Sequence, residues 1–187
     1  MHPATAYKHL CVLSVMILIC GLAFLLWKWP QGKHMTFSQH AAQHRSAIAY
    51  YFLLFTLVLP LLLLFFIEWF APTFHLAPLF TSFIILATLF QYSVTIIPEV
   101  GGWKTTYHVV GSALSGVFML LALGVTLFAA TISSASHAIT FVSMVVMVGL
   151  LYIGGINRIK HPNLLILQAS YYATFFIAIL YATYLGS

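Results

Sequence analysis

Charge is what this sequence has least of. Of its 187 residues, seven are basic and two acidic, 5% in all. A soluble domain carries about one quarter. So few charges cannot clothe a water-exposed surface, which excludes a soluble enzyme and an extended disordered chain. The basic residues are scattered over separate polar segments and build no patch, so nucleic acid is not an expected partner. Cysteine is nearly absent too. Cys11 and Cys20 share one apolar run, where nine helical residues set them roughly 13 Å apart along the axis. That is beyond disulfide reach. Low-complexity linkers and internal repeats are missing as well.

What is present is apolar residue, 63% of the chain, in six long runs: Leu10–Trp27, Ser46–Ile67, Leu76–Pro98, His108–Ile132, Ala138–Ile156 and Leu164–Leu185. None holds Asp, Glu, Lys or Arg, and each approaches the ~20 residues a bilayer-crossing helix needs. Runs such as Leu61-Leu62-Leu63-Leu64-Phe65-Phe66 do not alternate, which excludes a transmembrane β-barrel. The first run ends in Leu25-Leu26-Trp27-Lys28-Trp29-Pro30 rather than in small residues, so it reads as a retained helix and not as a cleaved signal. The expected fold is an all-α integral membrane protein, a six-transmembrane-helix bundle forming one domain over 1–187. In the longest polar stretch, Thr36-Phe37-Ser38-Gln39 has the form of a capping box. A helix should begin near Phe37 and run straight into the second span. Pro60 should kink that span.

Six spans place both termini on one face. That face carries Lys8 alone, whereas the opposite face carries Lys28, Lys33, Arg45, Lys104, Arg158 and Lys160. Basic short loops stay cytoplasmic, so both termini are expected outside or in a lumen. Tyr7, Trp27, Trp29, Trp69, Trp103 and Tyr184 fall near span ends, as interfacial aromatics do.

The basic face also gathers most of the groups capable of chemistry. In Ile97-Pro98-Glu99-Val100-Gly101-Gly102-Trp103, Pro98 should end the third span, and the glycines should permit a tight turn that brings Glu99 to His108. Such a pair can fix the turn, hold a cation or relay a proton. Arg158, Lys160 and His161 lie on the same face and would suit a phosphate or carboxylate. Glu99, His108, Arg158 and His161 are therefore expected to border an opening for a polar or anionic headgroup. Within the spans, Gln91 and Gln168 either hydrogen-bond between helices or line a cavity. His40 and His44, spaced four apart, could share a helix face and are weak metal candidates, lacking the Glu of a zinc-protease motif. No cofactor is expected, with a transition metal or a bis-histidine haem the alternatives kept open. The small residues from Gly111 to Gly116 should form a close-packing face within the bundle.

Six short-looped spans, with an acidic residue (Glu99) closing one and a histidine (His108) opening the next, resemble the DRAM-like (DRAM/Frag/Sfk) group of membrane proteins and related bacterial six-span proteins. The resemblance implies lipid-linked or membrane-organising work, and no catalytic residue. The expected role is non-enzymatic binding of lipid or a small amphiphile, with the bilayer and an anionic lipid as partners. A small-solute or proton transporter, a metal- or haem-dependent membrane enzyme, and an accessory subunit of a membrane complex are the alternatives. Reporter fusions at Ser187 and at His34 are expected to fall in opposite compartments, with Ser187 non-cytoplasmic. A cytoplasmic C-terminus would reverse the orientation.

Overall fold

The computed structural model of the chain describes residues 3–156 and 162–186, and among these no strand forms. The elements are α1 (Pro3–Lys28), α2 (Phe37–Ala42), α3 (Arg45–Phe65), a π-helical turn (Phe66–Phe70), α4 (Ala71–Thr73), α5 (Pro78–Ile96), α6 (Gly102–Thr126), α7 (Ser134–Ile156) and α8 (Leu164–Tyr184). Six helical stretches are long and apolar enough to cross a membrane, as the composition requires. Each packs mainly on its chain neighbour, in the order α1, α3, α5, α6, α7, α8, and α8 returns to α1 and also touches α6. The result is a closed ring of antiparallel helices around a core rich in phenylalanine, including Phe65, Phe70, Phe74, Phe80 and Phe175.

Lipid is as apolar as leucine, so helices in a bilayer associate through close packing and hydrogen bonds rather than through hydrophobic burial. Both appear here. A Cβ on Gly111 would lie 2.5 Å from Val94 Cγ1, so this glycine lets α6 approach α5. Ser115 Oγ donates to the carbonyl of Ala87 at 3.0 Å, and Tyr171 Oη donates to the carbonyl of Gly116. The small-residue face of α6 thus packs within the bundle, against α5 on one side and α8 on the other.

Two departures from the expected boundaries lie around the second span. The second span does not stop at Ile67. The helix continues to Thr73 through the π turn, in which Ala71 N–H reaches the carbonyl of Phe66. Helix thus occupies most of the stretch between the second and third apolar runs, where Trp69, Phe70 and Phe74 bury against the core. Nor does the helix from Phe37 run straight on. It ends at Ala42, and His44 is extended (φ −139°, ψ 135°) as the N-cap of α3. The corner has a physical cause: α2 is tied to distant helices by its own side chains, as described below, while α3 must follow the bundle axis.

The α5–α6 connection is the tight turn that Gly101 and Gly102 permit. Their φ values are 97° and 60°. Val100 N–H bonds the carbonyl of Pro98 at 3.0 Å, and Gly101 N–H bonds Thr105 Oγ1 at 3.0 Å. The helix therefore starts at Gly102 rather than at His108, which puts His108 in its second turn. Hydropathy alone trimmed the polar first turn, Lys104-Thr105-Thr106. Gly101 combines its φ with ψ 169°, a region open essentially to glycine alone. Gly101→Ala should cost about 1–3 kcal/mol, seen as earlier thermal unfolding in detergent. Gly149→Ala, at a helical site where a Cβ would meet nothing, should be neutral or slightly stabilising.

Candidate functional site

The polar site forms where α2 lies across one end of the bundle. Thr36 and Gln39 make the capping box: Gln39 N–H donates to Thr36 Oγ1 at 3.3 Å, and Thr36 N–H donates to Gln39 Oε1 at 2.9 Å. Both arms of the box then extend to Glu99. Gln39 Nε2 donates to Glu99 Oε1 at 3.0 Å, and Ser38 Oγ donates to Glu99 Oε2 at 3.2 Å. A carboxylate only accepts, which fixes the direction of the remaining bond: Thr36 Oγ1 donates to Ser38 Oγ, 2.9 Å away. Two chains of aligned dipoles therefore converge on one carboxylate, an arrangement in which each bond polarises the next.

Glu99 is buried, 8% exposed, and α6 supplies another neighbour. His108 is also buried; its Nδ1 lies 3.2 Å from the carbonyl of Ile97 and its Nε2 lies 3.9 Å from Glu99 Oε2. A carbonyl oxygen only accepts, so Nδ1 carries a proton. The contact with Glu99 is attractive when Nε2 is protonated as well. The tight turn thus brings Glu99 to His108 as the glycines require, and among the described residues α2 also donates to the carboxylate. The capping box is visible in the sequence; that Gln39 directly, and Thr36 through Ser38, lead to a residue sixty positions later is not.

The same helix reaches α8. Phe37 N–H, one of the unpaired donors at the start of α2, bonds Gln168 Oε1 at 3.0 Å. Beneath α2, a cleft of about 240 Å³ opens between α6, α7 and α8. Its polar end is formed by Thr36, Ser38, His108 and Gln168, with Leu164 and Leu167 beside them, and its deeper wall by Ala113, Gly116, Leu150, Leu151 and the two tyrosines Tyr171 and Tyr172. Ser112 also lines it. Gln91 does not. It lies deeper, where its Oε1 accepts from Tyr172 Oη at 2.9 Å, and it borders a separate, smaller cavity. Each glutamine is thus both an interhelical bond and a cavity lining, at two different cavities. Arg158, Lys160 and His161 lie outside the described residues.

His40 and His44 do not share a face. The chain turns between them: His40 is buried on α2, while His44 is exposed at the corner. Among the described residues no group of three or more His, Cys, Asp or Glu is placed to hold a metal. His40 is nonetheless unusual, because neither ring nitrogen has a hydrogen-bond partner among the described residues.

Compared with family models, curated proteins and solved structures, the chain shows no significant match. What the fold defines is a multi-pass membrane protein built as a six-helix bundle.

Burial, and then electrostatic repulsion from the nearby His34 imidazole, hold the His40 pKa below its ordinary value. The folded state therefore resists a proton that the unfolded chain accepts. Stability is complete above the unfolded pKa of about 6.5 and is lost as pH falls from there toward the folded value. His40→Leu should remove that loss. Thermal unfolding at about pH 7 and about pH 5 should show a smaller drop for the variant than for the natural chain. Equal drops would mean that His40 does not contribute.

Proposed function

We propose that this protein binds a lipid or small amphiphile, without transforming it, in the cleft between α6, α7 and α8. The observation that carries this reading is the two-ended lining of the cleft. Hydroxyl, imidazole and amide groups gather under α2, and aliphatic and aromatic side chains lie deeper. A headgroup would exchange water for the donors and acceptors at the first end, while the chain replaces empty or lipid-filled space at the second. Glu99 would orient His108 and Ser38 rather than meet an anion itself, since like charges repel. The positive charge for an anionic headgroup would come from Arg158, Lys160 and His161. By the asymmetry of basic residues, the headgroup end faces the cytoplasm. The implied partners are the bilayer and an anionic lipid or amphiphile.

A second reading, a proton pathway, is favoured by the imidazole and carboxylate facing each other at 3.9 Å. Against it, Glu99 and His108 sit at one end of the bundle. Among the described residues, the other carboxylate and histidines within the spans, Glu68, His9 and His137, lie toward the opposite end, and none lies between.

Native mass spectrometry of the detergent-purified chain tests the first reading. Ser112 lines the cleft and makes no side-chain hydrogen bond among the described residues, so Ser112→Phe should fill the space without breaking a bond between them. It should lower retention of co-purifying lipid by about tenfold or more. Glu99→Gln should lower it less, by loosening α2. Undiminished lipid in Ser112→Phe would remove the cleft as the site. Proton flux into liposomes that is abolished by His108→Gln would favour the second reading.

A further inference from the structure

Deeper than the cleft lies a smaller cavity of about 60 Å³, walled by Phe55, Leu59, Phe66, Ile84, Met119 and Phe175. These residues are buried, so the space belongs to the middle of the ring rather than to its lipid-facing surface. Tyr172 lines both this chamber and the outer cleft. Its hydroxyl is held by Gln91 Oε1 at 2.9 Å, on the chamber side. Its neighbour Tyr171 is pinned to the carbonyl of Gly116 and meets the Tyr172 ring edge-on, with centroids 6.2 Å apart and planes at 83°. The Tyr172 ring is therefore a partition, latched at its tip and braced at its side.

Resting on the amphiphile reading above, we propose that Tyr172 determines the chain length this protein accepts. The ligand class is a single-chain amphiphile whose tail ends against the Tyr172 ring. The outer cleft falls just below the volume of ordinary ligand pockets, about 300 Å³ and upward, and it reaches that range only when joined to the inner chamber. The chamber is lined mostly by apolar side chains and gains by receiving apolar atoms. What keeps a longer chain out is the latch. Displacing the ring separates the phenol from Gln91 Oε1, and that amide oxygen then loses its donor in a largely apolar surround, while Gln168 remains beside the phenol on the cleft side. The partition thus opposes longer tails by a polar cost, although the space behind it favours them.

The test uses the full chain in detergent with an equimolar mixture of lauroyl, myristoyl, palmitoyl and stearoyl lysophosphatidylglycerol, read by native mass spectrometry. The natural chain should retain the shorter members preferentially. Tyr172→Ala should shift retention toward the longer ones, by roughly fourfold for each further methylene buried. Gln91→Leu, which removes the latch and leaves the ring, should shift it in the same direction by less, and it serves if Tyr172→Ala does not fold. An unchanged chain-length preference in the folded variants, with the probes still retained and Ser112→Phe still excluding them, would overturn the role of Tyr172 and leave the cleft standing. Failure of the natural chain to retain any member would overturn both.

Discussion

A carboxylate that is almost wholly withdrawn from water organises one end of this molecule. Glu99 follows a proline that ends α5 and precedes two glycines in the left-handed region, so the backbone leaves it little freedom of position. A buried charge must be met by donors or it will not stay charged. Among the described residues Ser38 and Gln39 supply such donors, and these bonds hold a six-residue helix across the bundle. A helix that short would not persist in isolation. Its place is fixed by the carboxylate, by the box that starts it and by the bond from Phe37 to Gln168 on α8. The corner at His44, the roof of the cleft and the burial of His40 all follow from that attachment.

The other end of the ring is closed by different means. The Lys8 ammonium lies 5.3 Å from the ring centroid of Trp69 and 4.9 Å from that of Tyr184, and Tyr184 Oη donates to the carbonyl of Lys8 at 3.2 Å. One cation thus joins α1, the π turn and α8. Ser133 N–H also bonds the carbonyl of Gly186, which ties the α6–α7 connection to the C-terminal residues. Charge is scarce in this chain, and at both ends it serves as a fastening between helices, as expected where apolar packing alone does not choose partners.

Much of this was legible beforehand because it is local. Apolar runs give six helices, Pro98 and the two glycines give the turn, and Thr36 with Gln39 gives the capping box. The approach of Glu99 to His108 followed from the turn alone. The convergence of Ser38 and Gln39 on Glu99 was not legible, since it depends on how α2 crosses the bundle. Nor was the corner at His44: the spacing of His40 and His44 fits a continuous helix, and only the tertiary ties of α2 break it. The division of Gln91 and Gln168 between two cavities depends on the relative depth of α5 and α8. Residue spacing along either helix does not contain that depth.

The π turn at Phe66–Phe70 also has a consequence for the phase of the chain. One residue is added where an α-helix would have none, so everything beyond it is rotated by about 100° relative to an unbroken helix. That rotation keeps the aromatic stripe inward: Phe65, Phe66, Trp69 and Phe70 stack or tilt against one another, and Phe70 and Phe66 both meet Phe80 on α5. Glu68 is left exposed. The turn acts as a gear with one extra tooth, letting a span of 29 residues turn the same side to the core along its whole length.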